Sequence, residues 1–193
     1  MSPTSLSLLD RLRAARPESP DWARLEGIYR PLIRRWLGLA PGLGDDADDL
    51  AQEVLTVLCR EVPRFDRRRE GSFRAWLRGV TVNVARNARR RRQRRPIVGL
   101  DPAEGFFDRL ADPADDLARR WDRDHDKHVV DRLLAAVEPD FTPSTWLAFR
   151  RFGVDGEPAA RVAEDMNMTE NAVILAKSRV LRRLREEAGE LLG

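Results

Sequence analysis

PAARVAEDMNMTENAVILAKSRVLRRLREE, residues 158–187, is the stretch that decides the fold class. Pro158 to Met166 predicts a short helix with small residues on one side. Asn167-Met168 predicts a tight turn. Thr169 can accept hydrogen bonds from the open N–H groups of a new helix, and so predicts a long one over 169–191. Short helix, tight turn and long capped helix form the helix-turn-helix pattern. Ala163 is small enough to let the two helices cross closely, while Val173 and Leu181 take the core side. Residues 169–185 carry Lys177, Arg179, Arg182, Arg183 and Arg185 against Glu170 alone. Thr169, Glu170 and Asn171 are short polar groups that fit a major groove, and the basic residues further along suit phosphates. An ordinary helical hairpin with a basic face would carry the same pattern.

The rest of the chain is also helical in its spacing. Before the motif, helices are expected at about 126–137 and 142–149, the second with Pro143 in its first turn and broken by Gly153 and Gly156. At the front, residues 1–20 read as a weakly helical lead-in. Asp21 can cap a helix over 22–38, where Trp22, Leu25, Ile28, Tyr29, Leu32, Ile33 and Trp36 recur at helical intervals. Pro31 threatens a kink inside it. After a loop at 40–44, Asp45 and Asp46 open a second helix with Leu50, Val54, Val57, Leu58 and Val62 as its stripe. Asp48, Asp49, Gln52 and Glu53 fall on its other faces, and Pro63 ends it. Ser72 caps a third helix that passes Trp76, Leu77, Val80, Val84 and Ala88 and stops at Pro96. No strand period longer than four residues occurs. The expectation is an all-α chain of two small helical domains. Its divisions fall at 1–21, a lead-in; 22–96, a front domain; 97–125, an acidic linker; and 126–193, a back domain.

Charge is spread unevenly over the 193 residues, whose formal net charge is +3. Residues 1–96 hold 21 Arg and 12 acids, whereas residues 97–126 hold 4 Arg and 9 acids. Residues 127–193 are near neutral. With Pro102 and Pro113 and many Asp, 97–125 reads as a linker, with at most a short helix near Leu117 to Trp121. Seven Arg fall between Arg86 and Arg95, and such a run repels itself unless an anion neutralises it. Nucleic-acid phosphate is the usual anion, and a solvated helix end is the competing reading. No unbroken apolar run is longer than that at 172–176, which is too short to cross a membrane, and the first residues do not resemble a signal peptide. Cys59 is the single cysteine, so no internal disulfide and no multi-cysteine zinc site can form. His125 and His128 are the only histidines. No metal, no cofactor and no catalytic constellation is expected, and a cytoplasmic setting is.

The front domain carries D-D-A-D-D-L-A-Q-E-V (Asp45 to Val54), then Arg64-Phe65, then G-S-F-R-A-W-L (Gly71 to Leu77), then V-N-V-A-R-N (Val82 to Asn87) and the run of Arg. This order resembles region 2 of the bacterial sigma-70 family, in its extracytoplasmic-function (ECF) subgroup. A-E-D-M-N-M-T-E-N-A-V (Ala163 to Val173) with K-S-R-V-L-R-R-L-R-E-E (Lys177 to Glu187) resembles region 4 of the same family. The resemblance covers about 22–96 and 127–188, two modules in the expected order with none between.

The resemblance implies a sigma factor that joins core RNA polymerase and directs it to promoter DNA, and that is not itself an enzyme. An anti-sigma factor is an expected further partner. Asp48, Asp49, Gln52 and Glu53 match the positions that grip the polymerase clamp. Phe65, Arg67, Arg68, Ser72 and Phe73, around the 66–72 loop, match the pocket for a flipped base of the −10 element. Asn83, Arg86, Asn87 and Arg90 match the face that reads the −10 region. Stacking on aromatic rings and charge contacts to the backbone are the chemistry such a site needs. Core packing is the competing reading for Phe65, Phe73 and Trp76, and the preferred one for Trp76. For the −35 element the residues are Thr169, Glu170, Asn171, Lys177, Ser178, Arg179 and Arg182. The chain departs from the family in two places: Ile174, Leu175 and Ala176 stand where the common pattern has a basic K-S-R triplet, which here falls at 177–179, and Val137-Glu138-Pro139-Asp140-Phe141 replaces the usual Leu/Pro/Glu/Arg run before the motif. A helix-turn-helix regulator that binds duplex operators is the alternative. It would hold DNA without polymerase.

Overall fold

The computed structural model describes residues 12, 19–65, 72–92 and 102–188. All regular structure among them is helical, and eight α-helices are present. The chain divides into two compact units, one taking the described residues up to Val129 and the other those from Val130 onward.

In the first unit, helix α1 (Pro20–Leu39) starts two residues earlier than an Asp21 cap would place it. Ser19 is the N-cap, its hydroxyl accepting from the Asp21 N–H at 3.3 Å. Pro31 lies within the helix on its exposed side, where its missing N–H does not face the core. The opposite stripe buries Trp22, Leu25, Ile28, Tyr29, Leu32, Ile33, Trp36 and Leu37. One 3-10 turn, Gly44–Asp46, leads into α2 (Ala47–Glu61), which buries Leu50, Ala51, Val54, Leu55 and Leu58. Val57, expected in that stripe, is only half-buried. Helix α3 (Ser72–Arg92) buries Phe73, Leu77, Val82, Val84, Ala85 and Ala88.

The stretch expected as a structure-poor linker is helical over Pro102–Ala111 and again from Asp116, and is part of this core. Helix α4 (Pro102–Ala111) buries Ala103, Phe107 and Leu110 and packs on α3. Helix α5 (Asp116–Val137) buries Ala118, Trp121, His125 and Val129 at intervals of three and four. Trp121 is 0% exposed and meets the Trp36 ring at 5.2 Å. The charge count fails as a guide because Glu104, Asp108, Asp122, Asp124 and Asp126 are neutralised by arginines distant in sequence. Asp124 pairs with Arg35 at 2.8 Å, and Asp126 with Arg74 at 2.5 Å. Asp122 accepts from Arg78 at 2.6 Å. Arg78 is 5% exposed, so its charge needs that carboxylate.

His125 lies inside the same core, stacked on Tyr29 with ring centres 5.7 Å apart. Its Nδ1 lies 3.0 Å from an Asp126 carboxylate oxygen. Burial pushes its pKa below the ordinary imidazole value, with Arg74 acting the same way and Asp126 and Asp122 opposing. The unfolded chain then takes up a proton at a higher pH than the folded one. Stability is therefore full above the ordinary imidazole range and falls as pH falls through it. Thermal melts at pH 7.5 and 5.5 should show this loss, and His125→Gln should reduce the difference between the two. An unchanged difference would mean the histidine is not the titrating group.

In the second unit, the Thr142 hydroxyl accepts from the Thr145 N–H at 3.3 Å and caps α6 (Pro143–Phe149). The chain does not break at Gly153. It widens into a π-helical turn, Arg150–Val154. A side chain at Gly153 would meet the Phe149 ring at 2.9 Å, so glycine permits the close approach. Helix α7 (Ala159–Asp165) is followed by a turn in which Asn167 adopts φ +52°, a conformation asparagine tolerates well. The Met168 N–H donates back to the Ala163 carbonyl at 2.9 Å and closes the turn. Thr169 caps α8 (Glu170–Ala188), accepting from the Ala172 N–H at 3.1 Å. Ala148, Val162, Ala163, Val173 and Ala176 form the core between these helices. Arg151 ties the π turn to α7 through Glu157 at 2.6 Å and Asp165 at 2.5 Å. Its guanidinium holds both carboxyls below their ordinary values.

Candidate nucleic-acid interface

Asn83, Asn87 and Arg90 are exposed and recur at i, i+4 and i+7, so they share one face of α3. Arg86 stands beside that face but is turned to α4, where it pairs with Glu104 at 3.0 Å and with Asp108. The helix spacing that grouped these four holds, but the guanidinium of Arg86 is already occupied by carboxylates.

Around the start of α3 the aromatic rings form one cluster. Phe65 meets Trp76 at 4.9 Å and Phe73 at 5.6 Å, and Phe73 meets Tyr29 at 5.5 Å. Phe73 is 1% exposed, so it offers no face on which a base could stack, contrary to the expectation. Trp76 was the preferred core residue, yet it is half-buried like Phe65. The register of α3 against Tyr29 turns Phe73 inward and leaves Phe65 and Trp76 with part of their rings open. Arg67, Arg68 and the rest of the 66–71 loop lie outside the described residues, as does the Ser72 side chain.

On α2 the polar face is not bare. Asp48 accepts from Arg34 at 2.8 Å, and Glu53 accepts from Arg91 at 2.8 Å. Asp49 and Gln52 are exposed between them. Both ion pairs lie open to water, where such pairs contribute about 0–1 kcal/mol and exchange partners readily. Arg34 and Arg91 lie 14 and 38 residues from their acids, so no local spacing could have announced them.

The second unit presents its own exposed face on α8. Thr169 has its hydroxyl engaged as the cap, and Glu170 and Asn171 are exposed beside it. Ser178, Arg179 and Arg182 are exposed further along. Lys177 departs from the expectation. It is half-buried, with its ammonium 4.7 Å from the centre of the Phe152 ring, which attracts the cation and holds it against the π turn. Arg183 is likewise committed, to Asp140 and Glu187 at 2.8 Å each. Leu175 is exposed on this face, and no charge-based reading singled it out.

Among the described residues no three His, Cys, Asp or Glu side chains gather as a metal site, and no helix is long and apolar enough to cross a membrane. Residues 27–95, from within α1 past the end of α3, match the family model for sigma-70 region 2. By that match the front part of the first unit is similar to sigma-70 region 2. A search of the curated proteins found no significant match to the chain.

Proposed function

We propose that this chain is an ECF-type sigma factor, which joins core RNA polymerase in the cytoplasm and directs it to promoters with particular −35 and −10 elements. The observation that carries this reading is the region 2 match over residues 27–95. The capped α7–turn–α8 arrangement in the other unit supports it as a region 4 helix-turn-helix. In this reading region 2 takes 22–96, region 4 lies in the unit from Val130 onward, and α4 with the first part of α5 follows region 2 within the first unit.

Each face then has a task. Asp49 and Gln52, with Asp48 and Glu53 released from their exposed pairs, contact the polymerase clamp. Asn83, Asn87 and Arg90 read the −10 region, joined by Arg86 when it leaves the α4 carboxylates. Arg67, Arg68 and Ser72 serve the backbone and the opened bases of the −10 element. Phe65 and Trp76 supply the aromatic surface that an extruded base needs. Thr169, Glu170, Asn171 and Ser178 face −35 base edges, and Arg179 and Arg182 face phosphates. An anti-sigma factor would act by covering these faces.

The test is reconstitution. The pure chain should co-purify with core RNA polymerase and yield promoter-specific run-off transcripts. Specific binding to duplex DNA without polymerase, and no run-off product with it, would instead identify an operator-binding regulator. Within the holoenzyme, Asn83→Ala should leave core binding intact and block strand opening, read by permanganate reactivity of −10 thymines. Unpairing costs a few kcal/mol per base, which the protein must return by holding the extruded base. Full reactivity in the variant would remove Asn83 from the −10 reader.

A further inference from the structure

Helix α8 has two opposed lines. Val173, Ala176 and Val180 form the buried one. Asn171, Leu175, Ser178 and Arg182 recur at i, i+4, i+7 and i+11 on the other, and all are exposed. Leu175 is 42% exposed at the middle of this outward line, and Ile174 is 46% exposed at its side. A large aliphatic group there adds nothing to the core. It leaves water only against something outside the unit.

The surrounding charge says what that is. Residues 171–185 contain five basic residues and no acid. Lys177 and Arg183 are held by Phe152, Asp140 and Glu187, which leaves Arg179, Arg182 and Arg185 exposed along the helix. The fitting surface is therefore anionic at its rims and apolar at one spot on its floor. A DNA major groove has phosphates along both edges, and thymine carries a methyl group on the groove floor. Leu175 and Ile174 also lie in the first two turns of α8, the part of such a helix that approaches base edges. An aliphatic side chain cannot satisfy the acceptors of a guanine edge, so guanine opposite it is disfavoured.

Resting on the promoter reading above, we propose that Leu175, flanked by Ile174, reads the 5-methyl group of a thymine in the −35 duplex, by apolar contact and without a hydrogen bond. Leu175 and Ile174 stand where the common family pattern has part of its basic K-S-R triplet.

The experiment uses holoenzyme made from core RNA polymerase and the full chain. It first selects promoter duplexes from a library randomised across the −35 positions. Each thymine of the selected sequence is then replaced singly by deoxyuridine, which lacks only the methyl group. At one or two positions the uracil duplex should bind about fourfold more weakly, the worth of one apolar carbon withdrawn from water. Leu175→Ala, an exposed change that keeps helix propensity, should bring that ratio toward one without further weakening the uracil duplex. Ile174→Ala should do so in part. Indifference to the methyl group at every thymine, or a full ratio retained in Leu175→Ala, overturns the proposal and leaves the promoter reading standing. A ratio near one in the wild type, with holoenzyme assembly lost in Leu175→Ala, makes the face a protein contact and overturns it as well. A library recovered without any −35 preference overturns the promoter reading and this inference together.

Discussion

Asp49→Arg combined with Gln52→Lys should leave the protein folded and abolish its co-purification with core RNA polymerase. Both side chains are exposed on α2, and they lie between the pairs Asp48–Arg34 and Glu53–Arg91. Neither residue is part of the buried stripe of Leu50, Val54 and Leu58, so helix content and melting temperature should stay near the parent values. Changing Glu53 instead would place a second cation against Arg91 and confuse stability with binding. Like-charge juxtaposition across an interface costs several kcal/mol, enough to lower affinity by orders of magnitude. Affinity capture of core polymerase measures the effect. Retention of binding in a folded double variant would take the polymerase contact away from this face of α2.

Trp121→Ala is the substitution with the largest expected cost in stability. Trp121 is fully buried and packs on Trp36, and its neighbours Ala118 and His125 on α5 are buried with it. Removing a large aromatic side chain from such a site costs about 3–5 kcal/mol, from lost transfer energy and the cavity left behind. The midpoint of urea unfolding for the first unit should fall accordingly. Limited proteolysis should bear on the same point. The wild-type protein should resist cleavage across 102–137, and the variant should be cut there. A Trp121→Ala protein as stable as its parent would show that α5 adds nothing to this core, as a linker would.

Those two experiments separate what was legible from what was not. Helices α1, α2, α3 and α8 follow from spacing alone, because a period of three to four apolar residues admits one local solution. The cap at Thr169 and the turn at Asn167 follow from side-chain chemistry within four residues. For the candidate site, the exposure of Asp49, Gln52, Asn83, Asn87 and Arg90 agrees with the faces that helical spacing assigned them.

The misreadings share one cause. The acid-rich stretch at 104–126 reads as unpaired charge by composition, although Phe107 with Leu110 and Ala118 with Trp121 stand at helical intervals within it. Five of its acids pair with Arg86, Arg78, Arg74 and Arg35, 18 to 89 residues away. Phe73 and Trp76 exchanged roles because rotation of α3 against Tyr29 decides which ring is covered. Lys177, a DNA contact by its spacing, is held instead by the ring of Phe152.

The sequence by itself determined an all-α chain, a capped helix pair in its second half and the helix faces on which the candidate residues lie, since these depend on spacing within a few turns. Only the tertiary structure decided which charges are already neutralised, which aromatic rings remain open and whether 102–129 is core or connection. Coulomb attraction and burial act through space, and the side chains that meet there are placed by helices far apart along the chain.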